Sequence, residues 1–210
     1  MAWNQNLTNK MSVGGGLPVW AVQPERRIAG GMVSNALRVG GKVSAGSPVD
    51  FNYVTKVAKF LKCFKINTAT VNALNTDLVI FKSFVTPQLY TGMVIMVMPA
   101  TMTGTGKAVV VGAVTETTTT YALTVVTADM DALIAGGFLV ESISAVAGAA
   151  KSIYCQPNNL SIEDTVVGDQ NELGIPRGMK YVFENCIPAM PAVVKANITF
   201  VEWENFNEKV

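Results

Sequence analysis

Runs of apolar residues with the period of β-strands occupy most of the chain after its first 35 residues. Residues 93–98 are apolar throughout, which predicts a strand buried either on both faces or at a subunit contact. Residues 80–85 predict another strand, with Phe81 and Val85 on one face and Lys82 on the other. Further strands are predicted at residues 108–114, 117–126 and 138–140.

The clearest alternation of apolar and polar residues lies near the C-terminus. Val194, Ala196, Ile198 and Phe200 are separated by polar or charged residues, which predicts a half-buried strand over residues 194–200. Glu202, Trp203 and Glu204 follow and place an acidic patch around an aromatic side chain.

One short helix is predicted over residues 127–135. Thr127 can cap its first turn, Asp129 and Asp131 lie near its positive end, and Gly136-Gly137 ends it. The pattern at residues 54–66 is ambiguous. It places apolar residues on one helical face and lysines opposite, yet its last five residues have the composition of a strand. The secondary structure of its first part stays open.

A turn set by proline and glycine lies between the start of the chain and the β-rich remainder. Gly40-Gly41 interrupts the chain, Lys42-Val43 resumes an extended run, and Ala45-Gly46-Ser47-Pro48 turns it into the strand Val49-Asp50-Phe51. Pro48 fixes its own φ and favours an extended Ser47, so local sterics define the turn before packing does.

Residues 1–35 show no sustained period and are predicted to form an extended N-terminal arm. Trp3 and Trp20 favour an arm laid on a partner, because tryptophan is enriched at interface hot spots; the alternative is that both hold the arm against its own body. Residues 36–210 are predicted to form a β-rich body, with a possible division into two subdomains near residues 100–107. The predicted fold class is mainly β, sandwich or barrel-like, with one or two short helices.

Composition adds an argument for self-association. Of 210 residues, 50% are hydrophobic and 15% charged, which is apolar for a free-standing monomer. The net charge of +1 conceals an asymmetry, because residues 1–82 carry ten Lys/Arg and three Asp/Glu, whereas residues 83–210 carry six and twelve. Such a chain can bind an acidic partner through its first part or pack head to tail with copies of itself.

The residue inventory offers little for catalysis, and no catalytic group, cofactor or metal site is predicted. The chain has no histidine, the commonest general base and metal ligand. Cys63, Cys155 and Cys186 are too widely spaced for a zinc site and are expected to be buried free thiols. Gly104-Thr105-Gly106-Lys107 lacks the leading glycine and the following hydroxyl of a phosphate loop, so turn glycines are the better explanation.

Two binding alternatives are weaker. Glu163, Asp164 and Asp169 could form a loose ion site, but the spacing of a calcium loop is not met. Nucleic-acid binding through the basic residues of the first part is not expected, because the whole chain is near neutral and no nucleic-acid-binding fold signature is present. No stretch predicts a membrane span and no signal peptide is recognised, so synthesis in the cytoplasm is expected.

Two stretches resemble bacteriophage head decoration and head-fibre proteins. The first is Gly41-Lys42-Val43-Ser44-Ala45-Gly46-Ser47-Pro48-Val49, followed by an aromatic residue and Thr55-Lys56-Val57-Ala58. In that family a strand, a turn of this kind and a second strand recur in a small β-domain on the capsid. The second stretch, residues 130–141, resembles a helix–glycine–strand unit of head-fibre chains.

The resemblance implies a non-enzymatic virion protein on the head surface of a phage, made in the bacterial cytoplasm. Its implied partners are the major capsid protein and further copies of itself, often as a trimer. The N-terminal arm is the expected anchor, and the candidate partner-binding residues are Trp3, Trp20, Arg26, Arg27 and Arg38. The alternative function is a carbohydrate- or host-surface-binding β-module that uses Trp203 and Tyr181.

Overall fold

The computed structural model describes residues 25–26, 31–33, 42–145, 150–162, 164–166, 172–173, 176–177 and 180–204. Within them the protein is mainly β-structure, as predicted. The first ten strands are β1 (Glu25–Arg26), β2 (Gly31–Val33), β3 (Lys42–Val43), β4 (Pro48–Phe51), β5 (Val57–Phe60), β6 (Cys63–Asn72), β7 (Asn75–Phe81), β8 (Val94–Val97), β9 (Thr105–Val110) and β10 (Val114–Glu116). The others are β11 (Thr120–Val126), β12 (Phe138–Glu141), β13 (Ala150–Ser152), β14 (Asn159–Leu160), β15 (Thr165–Val166), β16 (Glu172–Leu173), β17 (Pro176–Arg177), β18 (Lys180–Phe183) and β19 (Val201–Glu204).

The largest sheet curls into a barrel-like wall. Its strand order is β10-β11-β7-β6-β12-β8-β9-β13, so β9 and β10 would lie about 29 Å apart if the sheet were flat. Residues 111–113 alone connect the two strands, and four Cα–Cα steps span about 14 Å at most. The sheet must therefore bend round until β9 approaches β10, which is the closure that a small barrel requires.

Side chains that point into this wall form one apolar core, called here the barrel core. Its members come from β6, β7, β8, β11, β12 and the loops that close the barrel. They are Phe64, Ile66, Leu78, Ile80, Leu89, Met93, Ile95, Val111, Tyr121, Leu123, Val125, Met130 and Leu139.

Side chains that point outward from β6, β12 and β8 form a second apolar core, called here the outer core. Leu139 lies in the barrel core and Val140 in the outer core, and both are fully buried. Likewise, Ile95 lies in the barrel core and Met96 in the outer core. Residues 93–98 therefore form a strand buried on both faces, one of the two predicted alternatives, although the strand itself is limited to β8.

The C-terminal part of the chain covers the outer core. A six-residue helix, α1 (Ala192–Asn197), connects β18 to the parallel strand β19. Val182, Val194, Ile198 and Val201 of this unit are buried against the outer face of the barrel wall. One half of the wall is thus sandwiched between two cores.

A five-stranded sheet of order β14-β4-β5-β2-β16 stands beside the barrel. Its small apolar cluster consists of Val43, Val49, Phe51, Ala58 and Phe60. β5 forms from residues whose pattern was ambiguous in the sequence, so residues 57–60 are extended rather than helical. β2 pairs with β5 and with β16, so residues 31–33 of the predicted arm belong to the sheet of the body.

The predicted turn after residue 43 is confirmed. The Ser47 N–H donates to the Ser44 carbonyl oxygen at 3.1 Å, and Gly46 has φ 77°. A positive φ at the third position of the turn is the type II geometry that glycine permits without steric cost. The predicted strand, turn and second strand are therefore present, with β3 before the turn and β4 after it.

Two predicted elements are wrong. Residues 194–200 do not form a strand, because α1 occupies residues 192–197. Pro191 precedes its first residue, and Val194 and Ile198, four residues apart, fall on one buried side. The alternation in the sequence fitted both periods, and packing against the outer core selected the helical one.

The predicted helix over residues 127–135 is also wrong, because only a 3-10 turn at Thr127–Asp129 forms. The Thr127 hydroxyl does not cap a helix; it lies 2.8 Å from the Thr76 hydroxyl. The helical half of the unit that resembles head-fibre chains is therefore absent, whereas its strand is present as β12. A second 3-10 turn spans Glu184–Cys186.

Smaller corrections concern strand ends and the suggested subdomain division. β7 ends at Phe81, and Phe81 and Val85 do not share a buried face, because Phe81 is 63% exposed whereas Val85 is buried. The loop after β8 does not separate two sheets, since β8 and β9 pair with each other across it. No helix among the described residues is long and apolar enough to cross a membrane.

Close packing explains one glycine of this loop. A Cβ atom on Gly104 would lie 2.7 Å from the Pro99 Cβ atom and 3.1 Å from the Thr101 carbonyl oxygen. Neither neighbour is a flexible side-chain end, so the backbone must shift to admit a methyl group. We expect Gly104→Ala to lower the free energy of unfolding by about 1–3 kcal/mol in urea denaturation.

Gly112→Ala is the matched control, because nothing lies within 4 Å of its Cβ position. Its free energy of unfolding should stay within about 0.5 kcal/mol of the parent protein. Equal effects of the two substitutions would contradict the packing explanation.

Candidate functional site

The predicted partner-binding residues lie almost entirely outside the described part of the chain. Trp3, Trp20, Arg27 and Arg38 are not described. The backbone of Arg26 belongs to β1, which pairs with β17 through Arg26 and Pro176. Their role as an anchor stays a prediction.

A buried ion pair is the most unusual charged arrangement in the described residues. The Lys62 Nζ atom donates to both carboxylate oxygens of Glu141, at 3.1 Å each. The two side chains are only 8% and 10% exposed. The same ammonium group lies 5.3 Å from the centroid of the Tyr90 ring.

The fold places this pair at one end of the barrel core. Lys62 and Glu141 each lie two residues from a core side chain, Phe64 and Leu139, on the same face of β6 and β12. The Glu141 N–H also donates to the Lys62 carbonyl oxygen at 3.1 Å. Two neighbouring chain segments thus hold the charges together.

Burial raises the pKa of the Glu141 carboxyl, and the charge and hydrogen bonds of Lys62 offset that increase only in part. The ionised carboxylate is therefore more costly in the folded protein than in the unfolded chain. Both charged groups are occupied by each other, which describes a structural pair rather than a free general acid or base.

The three cysteines are free and buried, as predicted. Burial is the main cause of a raised pKa for the thiols of Cys63 and Cys155, and the negative charge of Glu141 adds to it. A thiol is nucleophilic as a thiolate, so these two groups are poor nucleophiles in the folded protein.

The glycine-rich segment at residues 104–107 is hydrogen-bonded to residues 128 and 131 of the same chain. The Lys107 N–H donates to the Asp131 Oδ2 atom at 2.9 Å, and the Lys107 Nζ atom donates to the Ala128 carbonyl oxygen at 2.8 Å. A Cβ atom on Gly106 would lie 2.5 Å from the same Asp131 oxygen. A negative charge therefore already lies against the backbone of this segment, which favours the interpretation of these residues as turn glycines.

The loose ion site stays a prediction, because Glu163 and Asp169 lie outside the described residues. Its third residue, Asp164, accepts a hydrogen bond from the Ala45 N–H at 2.8 Å. This contact lies beside the turn at residues 44–47, where Ser161 Oγ donates to the Ser44 carbonyl oxygen at 2.8 Å. No group of three potential metal ligands occurs among the residues that the structure covers.

The two aromatic residues of the carbohydrate-binding alternative do not share a surface. Val182 pairs with Trp203 and Tyr181 with Glu202 in the parallel pair β18–β19. Adjacent residues of a strand point to opposite faces, so Trp203 lies with buried Val182 while Tyr181 points outward. The Lys195 ammonium group also covers the Trp203 ring at 5.6 Å.

Comparison of the chain with protein-family models, curated proteins and solved structures gives no match. The sequence analysis missed the Lys62–Glu141 pair, because the two residues are 79 positions apart. The available signal was a charged residue at the end of an apolar strand, as in Phe138-Leu139-Val140-Glu141.

A double-mutant cycle tests the energetics of the ion pair. Glu141→Leu should lower the free energy of unfolding by about 1–3 kcal/mol, because it removes both carboxylate acceptors and leaves the buried Lys62 ammonium group without them. The double variant Lys62→Met with Glu141→Leu should be as stable as the parent protein or more stable. Urea denaturation at pH 7 measures both, and a double variant as unstable as the single one would contradict this account.

The pKa direction of Glu141 predicts the pH dependence of its contribution. The folded-state pKa is raised, so the folded protein binds the proton more readily than the unfolded chain, whose carboxyl has its ordinary value of 4.5. Stability from this group is fully present below pH 4.5 and is lost as the pH rises through the raised pKa.

The parent protein should therefore gain stability relative to Glu141→Gln as the pH is lowered from neutral towards 4.5. Urea denaturation of both proteins across this range measures the difference. A difference that shrinks on acidification would show that the folded-state pKa is depressed instead.

Proposed function

We propose that this protein is a non-enzymatic structural protein of a phage virion, which decorates the head as an oligomer bound to the major capsid protein. The observation that carries the proposal is that the charged pair and the thiols in the interior of the described chain are buried. The Lys62 and Glu141 side chains are buried and paired with each other, and the Cys63 and Cys155 thiols are buried. Such groups stabilise a scaffold and leave none of these side chains available to a substrate.

The turn motif supports the link to head proteins. Residues 43–51 form the strand–turn–strand arrangement on which the resemblance rests. The segment after β13 fixes this motif, because the Ser161 N–H donates to the Ser47 carbonyl oxygen and the Gly46 N–H donates to the Ser161 carbonyl oxygen. The Asn158 side chain accepts a hydrogen bond from the Phe51 N–H and donates one to the Phe51 carbonyl oxygen.

The surface supports association with other chains. Apolar side chains as large as phenylalanine remain exposed on the described residues, among them Leu74 at 79% and Phe84 at 61%. Together with the 50% hydrophobic composition, they favour a protein that completes its burial in an assembly.

A capsid-binding experiment tests the function and the predicted anchor. The full chain should cosediment with particles assembled from the major capsid protein of the same phage, and a variant without residues 2–24 should not. This deletion stops before β1, so it removes none of the described residues. Trp20→Ala should weaken binding in the same assay, because a buried interface tryptophan typically contributes about 2 kcal/mol or more.

Circular dichroism supplies the control, since both variants should keep the β-rich spectrum and the thermal midpoint of the parent. Undiminished binding by the deletion variant would exclude the arm as the anchor. Absence of binding by the full chain would exclude capsid decoration.

A further inference from the structure

We draw no further inference here: the strongest candidate, the threonine-rich outer face of β6, β7, β10 and β11 on which Phe81 and Val126 are exposed, carries nothing, because nothing in the described part of the structure shows what covers it.

Discussion

The structure depends on one constraint: the strands at the centre of the barrel wall are buried on both faces. Neighbouring residues of β8 and β12 point alternately into the barrel core and the outer core, and Ile95, Met96, Leu139 and Val140 are all fully buried. A shift of one residue in either strand would exchange the two sets of side chains. The pairing of β12 with β8 and β6 therefore fixes where the C-terminal unit can dock and which side chains remain outside.

The Lys62–Glu141 pair lies at the end of the β6–β12 pairing, beside the strand residues that are buried on both faces. Removing two charges from water is costly, and the raised pKa of Glu141 shows that Lys62 does not offset the whole cost. A charged pair of this kind can still specify register, because a shifted strand would leave each charge buried alone. That the pair specifies the strand register is a hypothesis for this protein. Cross-strand NMR contacts in the double variant would decide it, because they report the register directly.

Uneven cover of the barrel connects the fold to the proposed function. Its apolar outer half is covered by β18, α1 and β19, whereas no segment of the described chain covers its threonine-rich half. Phe81, which the sequence pattern placed on one strand face with Val85, is 63% exposed on that half. Its exposure is understandable if the fold of one chain is only part of the buried structure.

The sequence by itself determined the β-rich class, the turn at residues 44–47 and the apolar strand within residues 93–98. Each rests on local information: a proline and a glycine that limit backbone angles, or an uninterrupted apolar run. Only the tertiary structure decided that residues 192–197 are helical and that residues 127–135 are not. Val194 and Ile198 lie on one side of either a helix or a strand. A segment this short adopts the conformation that buries its apolar side chains best. The ion pair also needed the fold, because Lys62 and Glu141 are distant in sequence and meet only through the pairing of β6 with β12.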